Sequence, residues 1–127
     1  MAISYWCVLV AALMPYLFTG IAKFGGRRYN NHVPREFLEG QQGFRKRAHW
    51  AQLNSFEAFP AFAAGVIIAH QLGVAAETIN LLAVSFILLR LVYGICYLTD
   101  QASLRSLVWM AALGCTIALY IQAGLVI

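Results

Sequence analysis

The sequence predicts an all-α membrane protein, a bundle of four transmembrane helices that run alternately up and down. Of its 127 residues 61% are hydrophobic and 11% are charged, whereas a soluble domain carries roughly 25% charged residues. Four apolar segments are also long enough to cross a bilayer, for which a helix needs about 20 residues. These segments are residues 3–24, 48–70, 78–98 and 104–127. We therefore expect a single transmembrane domain over residues 1–127.

The first segment, residues 3–24, is interpreted as a membrane span and not as a signal peptide. No basic region precedes it, no cleavage site of small residues stands out, and its apolar stretch is longer than that of a signal peptide. Pro15 lies inside it, which membrane helices tolerate when neighbouring helices satisfy the freed carbonyl. In the polar loop that follows, Pro34 occupies a favourable first position for a short helix.

The second segment, residues 48–70, carries polar residues at membrane depth. Arg47 and Asn54 are seven residues apart, so they project within about 20° of each other on a helix. Glu57 lies one turn further along the same face, whereas Gln52 projects to another side. An unpaired ionisable residue at the middle of a span costs roughly 2.5–3.5 kcal/mol. We therefore expect Glu57 to face protein or a water-filled cavity.

The third and fourth segments add a second polar stripe. Arg90, Tyr93, Tyr97 and Asp100 follow one another at steps of three, four and three, which places them on one helical face. Arg90 is predicted to be a partner of Glu57. The connections on either side of the third segment are short, and short links favour antiparallel neighbours.

The distribution of basic residues predicts the orientation in the membrane. Seven of the nine lie at or between the facing ends of the first two segments, and Arg105 lies at the start of the fourth, beside the three–four connection. The positive-inside rule then places these two connections in the cytoplasm and both termini on the opposite, periplasmic side. There is no basic stripe with interleaved aromatics, so nucleic acid is not expected as a partner. The three cysteines form no CxxC motif, and no metal site is expected.

Two stretches of sequence resemble a known family. "RAHWAQLNSFEAFP", residues 47–60, and "RLVYGICY", residues 90–97, are similar to the second-span and third-span signatures of the membrane-associated proteins in eicosanoid and glutathione metabolism (MAPEG). This family includes microsomal glutathione transferases and leukotriene-forming synthases. The four apolar segments and the polar loop after the first also fit. The chain thus resembles a bacterial-type member, expected in the inner membrane.

The resemblance implies a homotrimer that binds glutathione, as a cosubstrate, between neighbouring subunits near the cytoplasmic face. Asn54 and Glu57 would hold the glutathione backbone, and Tyr93 and Tyr97 would contact it from the third span. Arg105 would be the catalytic residue that lowers the pKa of the thiol. The full set expected to bind glutathione is Arg47, Gln52, Asn54, Glu57, Arg90, Tyr93 and Tyr97.

The implied chemistry is that of a membrane-bound glutathione transferase or glutathione-dependent peroxidase. A free cysteine thiol has a pKa of about 8.5, and a nearby cation favours the thiolate, which is the nucleophile. A guanidinium suits this task because it stays protonated. The thiolate would attack a lipophilic electrophile, or reduce a lipid hydroperoxide, that arrives from the bilayer.

The sequence departs from the family pattern at one position, and two other functions remain possible interpretations. Family enzymes often carry an arginine four residues before the asparagine, where this chain has Trp50, and Arg47 could substitute only in part because it lies a further turn away. The polar stripes could instead hold helices together by hydrogen bonds, as in a non-catalytic scaffold or accessory subunit with the same trimeric fold. A small transporter would use Glu57 and Arg90 as a relay.

Overall fold

The computed structural model describes residues 1–126, which form an all-helical bundle without β-strands. The predicted end of the fourth apolar segment, Ile127, lies outside these residues. The five helices are α1 (Ile3–Lys23), α2 (Pro34–Glu39), α3 (Gly43–Gln71), α4 (Ala76–Leu98) and α5 (Ala102–Leu125). The prediction of an all-α protein is confirmed for the part of the chain that the structure describes.

Three helices, α1, α4 and α5, are long enough and apolar enough to cross a membrane. Helix α3 has 29 residues, which at a rise of about 1.5 Å each make roughly 44 Å, so its length is sufficient. Helix α3 is nevertheless not among the helices that are apolar enough to be identified as spans. The structure therefore supports three of the four predicted spans. The span predicted over residues 48–70, within α3, stays a prediction.

Helix α3 begins at Gly43, five residues before the predicted apolar segment. Gly43 has a positive φ of 61°, which suits glycine at a sharp change of chain direction. The helix then continues through its basic first turns into the apolar region. The short helix α2 begins at Pro34, as the sequence predicted.

The core of the bundle lies between α1, α3, α4 and α5. Phe62 and Phe86 stack in parallel there, with ring centroids 3.9 Å apart, and Val66, Ile79 and Leu119 are fully buried around them. Small residues that let helix backbones approach are fully or almost fully buried as well: Ala48, Ala51, Ala69, Ala83 and Ala112. Many large apolar side chains of α1, α4 and α5 remain on the outer surface, as a bilayer requires.

Polar side-chain contacts connect the helices at both ends of the bundle. At the end that holds the N-terminus, the Ser4 hydroxyl lies 2.6 Å from His70 Nε2, and the Ser4 amide donates a hydrogen bond to Asn80 Oδ1. At the other end, the buried Gln41 side chain donates to the carbonyl of Ala22. This second contact ties the segment after α2 to the end of α1.

Gly94 provides a test of the packing between α1 and α4. A Cβ atom at this position would overlap the ring of Phe18. We expect Gly94→Ala to lower the free energy of unfolding by about 1–3 kcal/mol, the usual cost of overpacking, as measured by thermal unfolding in detergent. Gly114→Ala is the control, because a Cβ there meets nothing within 4 Å.

The double variant Gly94→Ala with Phe18→Leu should recover part of the loss, because the smaller side chain makes room for the methyl group. Equal stability of the wild-type protein and Gly94→Ala would contradict the close approach of α1 and α4.

Candidate functional site

The polar stripes of α3 and α4 meet in the structure. Arg90 donates a hydrogen bond from Nη2 to Asn54 Oδ1 at 2.7 Å, and the Asn54 amide donates to Glu57 Oε2 at 3.5 Å. The sequence predicted Arg90 and Glu57 as partners, and the Asn54 side chain links them. A short polar chain thus joins the two helices.

Arg90 is the most buried of the charged residues within residues 1–126, with 3% of its surface exposed. A buried charge is costly unless hydrogen bonds and neighbouring groups compensate for lost hydration. The Asn54 oxygen provides one such contact. The Tyr93 ring provides another, because the guanidinium carbon lies 4.2 Å from its centroid.

An aromatic wall continues from Arg90 along α4. Tyr93 and Tyr97 meet edge to face, with centroids 5.5 Å apart. The guanidinium of Arg105, at the start of α5, lies over the Tyr97 ring at 4.2 Å. From the α3 side, Trp50 approaches Tyr97 with a centroid separation of 6.3 Å. A continuous row of contacting side chains therefore runs from Glu57, through α4, to Arg105.

An open groove of about 400 Å³ lies along this row. Its walls are Trp50, Leu53, Asn54, Glu57, Tyr93 and Tyr97. The volume falls within the range of about 300–1,000 Å³ that is typical of small-molecule sites. Four predicted site residues, two from each of the helices α3 and α4, therefore share one groove.

A smaller cavity of about 170 Å³ lies between α3, α4 and α5. Asn54 and Glu57 line both this cavity and the groove, so the two spaces adjoin. The remaining lining residues are Ala58, Ala61, Phe86, Arg90, Trp109, Ala112, Leu113 and Thr116. This cavity could not be predicted from the sequence, because its walls are mostly apolar and come from three separate segments.

Two of the predicted site residues are engaged elsewhere. Arg47 donates from Nε and Nη2 to the carbonyl oxygen of Leu98, at 3.4 and 3.1 Å, and so caps the last turn of α4. The Gln52 oxygen lies 3.3 Å from His49 Nδ1, on another side of α3. Neither residue lies on the wall of the groove, and their contact with glutathione stays a prediction.

Trp50 is a groove residue that the sequence marked only as a departure from a family pattern. Its indole is 43% exposed, and Lys46 lies 5.7 Å above the ring, one turn earlier. A cation thus lies beside the groove at this end. Over residues 1–126, no cluster of histidine, cysteine, aspartate and glutamate could hold a metal ion.

Comparison with known families gives a match to the MAPEG family over residues 3–125. Comparison with curated proteins and with solved structures found no match.

The link between Arg90 and Asn54 can be tested by a pair of amide-to-leucine changes on α3. Asn54→Leu leaves the buried guanidinium without this acceptor, and a hydrogen bond to a charged group contributes about 1.5–3 kcal/mol. We expect a loss of unfolding free energy of this size, measured by thermal unfolding in detergent. Gln52→Leu is the matched control and should cost less, because it leaves the hydrogen bond between Asn54 and the buried guanidinium in place. Equal losses in the two variants would contradict the role assigned to Asn54.

Proposed function

Because the chain belongs to the MAPEG family, we propose that it is a membrane-bound glutathione transferase or glutathione-dependent peroxidase that acts on a lipophilic electrophile. The family includes enzymes of both kinds. The observation that carries the proposal is the groove, which lies along a row of contacting side chains that begins at the Glu57 carboxylate and ends at the Arg105 guanidinium, just outside the groove.

The proposed protein crosses the membrane four times, with α3 as the additional span. Helix α3 is long enough to cross, and its Asn54 and Glu57 line the groove and the cavity. Apolar side chains such as Phe56 and Ile67 are exposed on other sides of α3, where lipid could cover them. The basic residues around α2 and at the start of α5 favour a cytoplasmic groove, with both termini periplasmic, in a bacterial inner membrane.

The proposed assembly is a homotrimer in which a neighbouring subunit closes the groove. Glu57 is exposed in the single chain and the groove is open along its outer side. A carboxylate exposed in this way at membrane depth is costly unless protein, water or a ligand covers it. Glutathione between subunits would satisfy this requirement.

The chemical groups of the groove complement glutathione. Glutathione carries an ammonium group, two carboxylates, two amides and a thiol. Glu57 would take the ammonium group, the Asn54 amide would bind the backbone, and the hydroxyl groups of Tyr93 and Tyr97 would donate to oxygens. Arg105 is the cation placed for the thiol, beyond the aromatic wall.

In this mechanism Arg105 favours the thiolate of bound glutathione. For transfer, the sulfur bonds to an electrophilic carbon and the leaving group departs with its electron pair. For peroxide reduction, the sulfur attacks the terminal oxygen and the O–O bond breaks. The alkoxide then takes a proton, and a second glutathione converts the sulfenic acid to a disulfide with release of water.

A non-catalytic scaffold with the same fold is the second candidate. It is favoured by the fact that Asn54 and Tyr97 of the groove already contact neighbouring cations, through the Arg90–Asn54 hydrogen bond and the stacking of Arg105 on Tyr97. Such contacts would fasten α3, α4 and α5 together without any ligand.

Glutathione should stabilise the purified protein if the groove binds it. A ligand that binds only the folded state adds about 2.7 kcal/mol at one hundred times its dissociation constant, so we expect a higher unfolding temperature with millimolar glutathione. Glu57→Gln should lose most of this shift, because it removes the partner of the ammonium group.

Glu77→Gln, an exposed carboxylate in the first turn of α4, is the matched control and should keep the full shift. If glutathione does not change the unfolding temperature of the wild-type protein, the scaffold is favoured instead.

Arg105 can be tested by titrating the bound thiol through its ultraviolet thiolate absorbance. A cation within about 4–6 Å lowers the pKa of an anionic group by about 1–3. Arg105→Ala should therefore move the midpoint upward by about one to three pH units, toward the value of a free thiol. Arg105→Lys retains the charge and should keep most of the effect. A midpoint that is the same in all three proteins would show that Arg105 is not the activator.

A further inference from the structure

We propose that the segment between α1 and α3 binds the phosphate group of an anionic phospholipid, in a pocket between the guanidinium groups of Arg27 and Arg45. The pocket follows the end of α1, which is one of the helices apolar enough to cross a membrane. None of its lining residues lines the groove, so this inference does not depend on the binding of glutathione.

The pocket is an open space of about 330 Å³. The buried Gln41 side chain fixes one wall, because its amide donates a hydrogen bond to the carbonyl of Ala22 at 2.7 Å. Among the described residues that line the pocket there are two cations and no carboxylate, so it suits a negatively charged group. The lining residues are Gly26, Arg27, Gly40, Gln41, Gln42 and Arg45.

Both guanidinium groups are held in place by the backbone and by an aromatic ring. Arg45 donates from Nε to the carbonyl of Phe24 at 3.1 Å and lies over the Phe44 ring, 4.5 Å from its centroid. Arg27 donates from Nη2 to the carbonyl of Phe37 at 3.0 Å and lies over the ring of the same residue, also at 4.5 Å. Because a guanidinium has five N–H donors, both groups retain donors for phosphate oxygens, which arginine often binds through two parallel hydrogen bonds.

Two glycines allow the guanidinium groups to lie against the chain. A Cβ atom at Gly26 would lie 2.9 Å from Arg45 Nε. A Cβ atom at Gly40 would lie 3.0 Å from Arg27 Nη2. A side chain at either position would therefore displace the guanidinium beside it, so the fold itself places the two cations.

A second space that Arg27 lines is a poorer site for an anion. Its volume is about 300 Å³, and Glu36 lines it together with Arg28. A carboxylate repels a phosphate group. The pocket between Arg27 and Arg45 is therefore the better anion site of the two.

Exposed aromatic side chains beside the pocket favour a lipid over a free phosphate. Phe24 is 64% exposed and Phe44 is 45% exposed, and Arg45 contacts the carbonyl of the first and the ring of the second. At the end of a span, such apolar side chains can cover the acyl chains of a lipid while the arginine reaches its headgroup. A soluble phosphate would leave both rings exposed to water.

The charge of this segment favours an anionic headgroup over a zwitterionic one. From Lys23 to Arg47 there are seven basic and two acidic residues, and lysines and arginines near a membrane surface attract anionic lipids. The same cations would repel the ammonium group of a zwitterionic lipid. Phosphatidylglycerol, whose headgroup ends in an uncharged alcohol, fits this requirement.

The pocket is tested on the full chain in detergent, with dioleoylphosphatidylglycerol as the probe and native mass spectrometry to count bound lipid. Arg45→Gln should weaken binding about tenfold, as expected for the loss of a hydrogen bond to a charged group. Arg35→Gln is the matched control, because Arg35 is exposed on α2, lies outside the pocket and carries the same charge. Equal weakening in the two variants would overturn the pocket in favour of general surface charge.

A second variant covers the case in which Arg45→Gln does not fold. Gly26→Ala keeps every charge but displaces the Arg45 guanidinium, so it should weaken binding about fivefold, as expected for one hydrogen bond. Gly20→Ala is its control, because a Cβ atom there meets nothing within 4 Å. Equal affinities of these two variants would overturn the role assigned to the position of Arg45.

Two further ligands separate the lipid from its alternatives. Dioleoylphosphatidylcholine has the same acyl chains and should bind about fivefold more weakly, the factor expected for one charge near a membrane surface. Glycerol 1-phosphate lacks the acyl chains and should bind about a hundredfold more weakly or less, because its contacts with apolar side chains are lost. Equal binding of the two lipids would overturn the anionic headgroup, and equal binding of glycerol 1-phosphate and phosphatidylglycerol would overturn the lipid.

Discussion

The buried guanidinium of Arg90 is the constraint on which the rest of the structure depends. A charged group inside a helix of the bundle needs partners from the protein, and Asn54 and the Tyr93 ring provide them. This requirement sets which face of α3 turns toward α4. Once Asn54 is directed toward Arg90, Glu57, one turn further, reaches the same side. The position of the groove therefore depends on the contacts that compensate for the buried charge of Arg90.

The two spaces beside Arg90 differ because of the side chains that surround them. Tyrosine and tryptophan side chains with polar atoms line the groove, so it suits a hydrated peptide-like molecule. Alanine side chains and the rings of Phe86 and Trp109 line most of the cavity, which suits an apolar group. A polar and an apolar space therefore lie next to each other, with Asn54 and Glu57 lining both.

Much of this arrangement could be predicted from spacing along the sequence. The steps between Arg90, Tyr93 and Tyr97 correctly predicted one face, and the helices lie close to the apolar segments. Periodicity could not predict that Arg47 caps α4, because a side chain seven residues from Asn54 shares its direction but not its surroundings. It could not predict the cavity either, since that space exists only where three distant segments of alanine, phenylalanine and tryptophan come together.

The hydrogen bonds from Arg47 to the carbonyl of Leu98 couple the start of α3 to the end of α4, just before α5 begins. Arg47 lies in the second turn of α3, next to Ala48, which packs with Phe37 and Leu38 of α2. Leu98 directly precedes the turn that leads into α5 and Arg105. If Arg105 activates the thiol as proposed, a change in the loop before α3 would reposition this cation, and differences in reactivity could then evolve at residues that never meet a substrate.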